Sequence, residues 1–318
     1  RARCEPGGVG FWFWAKVSRS CADFLSCSPV FGVPCLFRLP LVLLLGAALP
    51  AQAMTFQTRM EDVQWSVEGD KFECRLSQRV DGYGEAVFIR RAGERPMFQL
   101  SAWSELMRPG AAQLYNDPPP WRPDARVQPL GQGTVQSGTT VMRLPWQQAG
   151  QMLAGLSRGL QPTILQGSLS DAGQQVRVVV SSVGYPQAWK DFQACADGLL
   201  PMNIDQISRT AIGFPSGGAV LDARARQMLD VALEYIKADP QVSRIELDGH
   251  SDNVGDRLSN RELSRQRVLA VQAYLVERGV DEDMISIRFH GERYPVANNN
   301  TREGREKNRR VTLRLERS

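Results

Sequence analysis

The stretch whose reading decides the fold is GHSDNVGDRLSNRELSRQR at residues 249–267, answered by NNNTREGREKNRRV at residues 298–311. The first begins where an alternating strand, Val242 to Leu247, gives way to Gly, Ser, Asp and Asn. These residues favour turns because they tolerate unusual backbone angles or bond their own main chain. Ser259 is placed to cap a following helix, which ends at Gly279, where left-handed backbone costs a glycine nothing. Upstream, Asp222 can cap a helix running to Lys237, with Met228, Leu229, Ala232, Leu233 and Ile236 on one stripe. Downstream, Ile285-x-Ile287-x-Phe289 and Val311-x-Leu313-x-Leu315 alternate as strands. With a first strand ending at Ile212-Gly213-Phe214-Pro215, the order is β-α-β-α-β, then a loop, a short helix and a final strand. That order predicts an α+β module, residues 198–318, with helices over one face of a sheet.

The opposite end of the chain is of another kind. Residues 1 to about 35 show no sustained periodicity and resemble upstream translated sequence rather than a domain. Arg38 then precedes the apolar run Leu39 to Leu49 and the small-residue site Ala51-Gln52-Ala53, the layout of a secretory signal peptide. The run falls short of the ~20 residues that span a bilayer. Cleavage after Ala53 leaves Met54 first and no cysteine for a lipid anchor, so a soluble periplasmic protein is expected. Of the 6 cysteines, Cys74 and Cys195 remain after cleavage. In an oxidising compartment they are expected to pair, with two free buried thiols as the alternative. Closing a loop of about 120 residues stabilises by at most roughly 4–5 kcal/mol.

Between residues 54 and 197 the pattern is mostly β. Val63 to Val67 and Phe72 to Leu76 alternate, Ala86 to Ile89 is an apolar run, and Gln175 to Val180 supplies another strand. This predicts an all-β domain, an antiparallel sandwich or barrel. Charges such as Arg90-Arg91 and Glu94-Arg95 interrupt any lipid-facing alternation and argue against a membrane barrel. Helices are expected from Pro145 to Leu156 and from Trp189 to Ala196. Gly82-x-Gly84 is read as a hairpin turn rather than a phosphate loop, since a third glycine is missing. Asp117-Pro118-Pro119-Pro120-Trp121-Arg122-Pro123 favours polyproline II and carries an indole and a guanidinium. Such a segment either presents a partner surface or folds Trp121 back onto its own domain.

The motifs at residues 249–267 and 298–311 resemble those of the OmpA-like peptidoglycan-binding module, a non-enzymatic holder of the cell wall. The resemblance implies a site for diaminopimelate, whose side chain carries both an ammonium and a carboxylate. Asp252 is then the partner of the ammonium. Arg267, which shares a helix face with Asn260 and Ser264, takes the carboxylate as a bidentate pair that lysine would not reproduce. Leu263 belongs to the frame around them, and Arg305, Asn308 and Arg309 match the family's Gly-Arg-x-x-Asn-Arg-Arg run. The competing view is an Asp252–Arg267 salt bridge that only fastens helix to sheet, and Arg309 or Arg310 could equally pair with acidic neighbours. One departure stands out: Pro215 lies where many members have an acidic residue, which weakens the expected hold on the ammonium. Ser251 in place of threonine is a milder change.

The Cys74-x-Leu76 strand, Gly84 to Phe88, Pro118 to Pro123, Ser181-Ser182-Val183 and Phe192-x-x-Cys195 together resemble the N-terminal domain of the MotY family of periplasmic flagellar-motor proteins. That resemblance implies a ring at the flagellar basal body, MotX as partner where it exists, and support of stator units. A general wall-binding stabiliser of the envelope, unconnected with motility, is the alternative. A net charge of +4 without a long basic block argues against nucleic acid. Gly155-Leu156-Ser157-Arg158-Gly159 fits the Gly-x-Ser-x-Gly spacing but falls at the end of the helix expected from Pro145 to Leu156 rather than on a strand-to-helix elbow. The only two histidines, His250 and His290, lack further ligands at metal-binding spacing. The chain is therefore read as a non-enzyme without cofactor or metal.

Overall fold

The alternating segments of residues 54–197 become ten strands in chain order. They are β1 (Ala53–Phe56), β2 (Trp65–Gly69), β3 (Glu73–Val80), β4 (Gly84–Arg91), β5 (Met97–Ala102), β6 (Gly110–Asp117), β7 (Gln128–Val135), β8 (Thr140–Leu144), β9 (Gln161–Gly167) and β10 (Gln175–Val179). They are seen in a computed structural model that describes residues 53–318. The upstream residues and the expected signal peptide, apart from Ala53, lie outside those described.

Two five-stranded sheets form, in the orders β1-β10-β9-β6-β7 and β2-β3-β4-β5-β8, and neither closes into a barrel. All pairings are antiparallel except β1 with β10, which is parallel. One apolar core draws on both sheets, from Leu76, Phe88, Phe98 and Leu100 on one side and Leu114, Ile164, Val176 and Val178 on the other. Phe88 and Phe98 sit directly opposite in register with ring centroids 5.1 Å apart, so the cross-strand pair itself fixes the alignment. Helices α1 (Trp146–Ser157) and α2 (Tyr185–Asp197) add Met152, Leu156 and Phe192 to this core. Helix α2 delivers Cys195 to Cys74, and the two are joined with Cα atoms 6.1 Å apart.

Several local expectations are revised. A 3-10 turn occupies Met60–Asp62, so β2 begins at Trp65 instead of Val63, and Phe72 precedes β3. Phe72 packs on Tyr235 of the C-terminal half instead, at 5.5 Å. The proline run is not an extended polyproline helix. Arg122 N–H bonds Pro119 O at 2.9 Å and Ala125 N–H bonds Arg122 O at 3.1 Å, two successive turns, because proline at the second position of a turn already has the required φ.

The C-terminal half runs α3 (Ile204–Ile207), β11 (Arg209–Gly213), α4 (Ala223–Ala238), β12 (Val242–His250), α5 (Arg257–Glu277), β13 (Ile285–Gly291), α6 (Arg302–Asn308) and β14 (Arg310–Arg317). The sheet order is β11-β14-β12-β13, with β12 and β13 parallel. A second apolar core, including Leu229, Leu233, Ile245, Leu247, Val268, Val271 and Leu313, lies between this sheet and its helices. Asp222 caps α4 as expected, whereas α5 is capped by Asp256, whose carboxylate accepts from the N–H groups of Leu258 and Ser259. Ser259 is thus already inside the helix. An aspartate directly after Val254-Gly255 outcompetes a serine one turn later.

The two halves meet closely. Ala92 from the N-terminal half is fully buried in the C-terminal core, Leu200 N–H bonds Lys71 O at 2.9 Å, and Asn203 donates to Ala92 O at 3.0 Å.

Candidate functional site

The site gathers where β12 ends and β14 begins, beside the start of α5. Gly249 is required there, because a Cβ would run into the Ser264 carbonyl and Val268 of the helix pressed against the strand. That close approach lets Arg267 extend its side chain beneath the loop between β11 and α4. Arg267 is completely buried. Its Nε donates to Gly218 O at 2.8 Å, Nη1 to His250 O at 3.1 Å and Nη2 to Pro215 O at 3.0 Å. The Phe214 ring lies 5.4 Å from the guanidinium carbon. Burial lowers the Arg267 pKa to about 10, opposed by Asp252 and reinforced by Arg309. The group stays charged at neutral pH. A guanidinium has five N–H donors. Three are used here, which leaves one on each terminal nitrogen, the pair a carboxylate takes in bidentate fashion.

Asp252 does not bridge to Arg267. Its ion partner is Arg309, with Nη1 at 3.0 Å from Oδ2, and its Oδ1 accepts from Val254 N–H at 3.3 Å. Arg309 also donates through Nε to Phe214 O at 3.2 Å. The competing view, an Asp252–Arg267 salt bridge fastening helix to sheet, is therefore not what is seen, and Arg267 is held by carbonyl oxygens. Two guanidinium groups face one carboxylate, so the site carries a surplus positive charge. The expected acidic position, Pro215, contributes its main-chain oxygen to Arg267 in place of a carboxylate.

The remaining candidates divide. Ser264 Oγ donates to Arg261 O and accepts from Gly291 N–H, tying α5 to the end of β13. Asn260 is buried and donates to Glu292 at 2.9 Å, and Leu263 is half-buried beside it in sequence. Asn308 is fully buried with both ends engaged. Its oxygen accepts from Val296 and Ala297 N–H, and its nitrogen donates to Ala297 O and Asn299 Oδ1, which locks the loop before α6. Arg305 donates to Asn299 O at 2.9 Å in the same loop. So Asp252, Arg267 and Arg309 form the charged centre, and Asn308 and Arg305 shape one wall. Arg310 points away, to Tyr294 O at 3.2 Å, without an ion partner among the described residues.

Sequence reading missed a buried network on the far face of the sheet. Glu246 and Asp248 lie under Arg288 and Arg314, and His290 Nε2 meets Asp248 Oδ1 at 2.9 Å. His250 stacks on His290 at 5.1 Å. Its pKa is lowered to about 4 by burial, then by Arg310 and His290. The signal was present as alternate polar residues, Glu246, Asp248 and His250, interleaved with Ile245, Leu247 and Gly249.

Residues 56–201 match the MotY N-terminal domain model and residues 213–309 match the OmpA family model. The chain joins a MotY N-terminal domain to an OmpA family domain. The eight candidate wall-site residues lie inside the second match, and Cys74 and Cys195 lie inside the first. Over 261 residues the chain is 26% identical to the sodium-type flagellar protein MotY of Vibrio parahaemolyticus, covering 80% of this chain and 88% of that one. It is 39% identical over 119 residues to the peptidoglycan-binding protein ArfA of Mycobacterium tuberculosis, covering 37% of this chain and 36% of that protein. Among solved structures, the C-terminal domain of Helicobacter pylori MotB is 23% identical, with a TM-score of 0.32, covering 34% of this chain and 85% of that one.

Proposed function

We propose that this protein is a non-enzymatic periplasmic component of the flagellar motor. Its OmpA family domain grips peptidoglycan through the diaminopimelate of the stem peptide, and its MotY N-terminal domain associates with basal-body ring proteins, in company with a MotX-type partner where one exists. In this role it holds stator units at the rotor. The carrying observation is the two spare N–H groups of buried Arg267 beside the Asp252–Arg309 pair, in a chain whose match to the Vibrio MotY spans both halves.

The chemistry follows from the charges. Three carbonyls already hold the Arg267 guanidinium in place for the ligand carboxylate, but the side chain is completely buried, so the Pro215–Gly218 loop over it has to yield for the ligand to enter. The ligand ammonium joins Asp252 and competes there with Arg309. Buried, prepositioned charges make this recognition selective for a group with both signs.

A general envelope stabiliser would match OmpA family proteins over the C-terminal part alone, as ArfA does. The two readings separate by experiment. Deletion of the gene should abolish spreading in soft agar without leakage of periplasmic contents, and the tagged protein should co-isolate with hook–basal bodies. Normal swimming with a leaky envelope would contradict the motor role.

A further inference from the structure

The proline-rich loop between β6 and β7 takes no part in the wall site, yet it is built as a surface. Three exposed indoles lie on the N-terminal half: Trp103, Trp121 and Trp146. Arg79 covers Trp103 at 4.8 Å and Arg95 covers Trp146 at 4.1 Å. Trp121 has no such cover among the described residues. The turn that starts at Pro119 places it at the tip, 47% exposed, and Arg122 N–H closes that turn. The Arg122 side chain anchors the loop to the Arg158 carbonyl. Val127, 55% exposed, ends the same loop and lines a hollow of about 580 Å³ with Tyr115, Asp117 and Arg177.

The charges around this hollow are unequal. Asp117 is spent on Arg177. Arg122 and Arg126 belong to the loop and Arg158 lies at its anchor, bonded to Gln128. None of the three has a carboxylate partner among the described residues, and the loop's own acid between Pro118 and Val127 is Asp124. Arg177 Nε is shielded and has no acceptor. Strand addition is blocked on the adjacent edge, because Gln148 already donates to the β7 carbonyls of Leu130 and Gln132. A partner must therefore enter by its side chains.

We propose that the 118–127 loop and the hollow beneath it form a docking site for an acidic segment of a partner protein in the motor, with Trp121 as its apolar anchor. Aromatic and arginine side chains dominate the energetics of protein interfaces, and a turn stiffened by prolines loses little freedom on binding. This rests on the motor reading, and the test separates the two. Purified full-length protein is sedimented with isolated hook–basal bodies at low and high salt, beside Trp121→Ala, Arg126→Glu and the covered control Trp103→Ala. Co-sedimentation of the parent should weaken as salt rises. Trp121→Ala and Arg126→Glu should each reduce it by about tenfold or more, and Trp103→Ala should not. All should pellet with sacculi like the parent. If the parent binds basal bodies and the two loop variants bind equally well, or if binding ignores salt, the docking site is refuted while the motor role stands. If the parent fails to co-sediment, the motor reading falls and this proposal with it.

Discussion

The two halves of this molecule bury different things. The N-terminal half buries one charged side chain, Asp117, among apolar residues and neutral polar ones such as Gln78, Asn116 and Thr163, and is cross-linked by a disulfide. The C-terminal half buries Asp239, Glu246, Asp248, His250, Asp252, Arg267 and Arg310. Burying charge costs several kcal/mol per ion unless partners are exact. A domain that only has to present a surface can avoid that cost. On the proposed function, the C-terminal half has to recognise a zwitterion and holds its charges in advance, which ties its stability to its binding.

That contrast can be probed because every tryptophan of the described residues lies in the N-terminal half. Indole fluorescence therefore follows one half, and far-UV circular dichroism follows both. The largest effect is expected for Arg267→Ala, which strands the carbonyls of Pro215, Gly218 and His250. Destabilisation of about 3–5 kcal/mol should appear in the dichroism transition, with the fluorescence transition shifted less. Equal shifts in both would mean that the Ala92 and Phe72 contacts weld the halves into one cooperative unit.

The converse perturbation is Cys74→Ala with Cys195→Ala. The residues are 121 apart in sequence, so the loss should approach about 4 kcal/mol and fall mainly on the fluorescence transition. A larger loss in dichroism than in fluorescence would break the assignment of the disulfide to the N-terminal core.

Much of this contrast was legible in the sequence, and the limits have physical causes. Asp222, the stripe on α4 and the alternation of β13 and β14 declared the C-terminal order directly. Strands β5 to β9 were not recognised, because β7 and β9 each carry a proline, Gly131 and Gly133 stand inside β7, and buried polar residues such as Asn116, Asp117, Gln161 and Thr163 break the apolar pattern of β6 and β9. Asp252 and Arg267 fall in one site, but the Arg309 partner of Asp252 and the main-chain oxygens of Pro215, Gly218 and His250 that hold Arg267 were not legible, since backbone acceptors leave no mark in residue types. Asn308 looked like a ligand residue, whereas all its hydrogen bonds go to its own loop.

Acid should act on the C-terminal half first. His250 is held at about 4 against its ordinary 6.5. The unfolded chain thus takes up this proton at higher pH than the folded one. Stability is intact above about 6.5 and falls as pH drops towards 4, by up to about 3 kcal/mol. Asp248 follows at still lower pH. Burial raises its pKa, but His290, Arg314 and Arg288 outweigh that and hold it below the usual carboxylate value. Urea titrations at pH 7 and pH 4.5 should show the loss in dichroism, and His250→Phe should flatten it. The smallest effect belongs to the exposed Arg91–Asp205 pair between the halves, 2.9 Å apart. Asp205→Ala should cost below about 1 kcal/mol in either transition.

The central claim is that the charged centre at the end of β12 holds the wall. Its most direct test is sedimentation of purified full-length Asp252→Asn with isolated sacculi, with dichroism confirming the fold. The substitution keeps shape but removes the charge that meets the ammonium. Binding should weaken by roughly 2–5 kcal/mol if the contact is desolvated, so the variant should stay in the supernatant while the parent pellets. A folded Asp252→Asn protein that pellets like its parent would contradict the account.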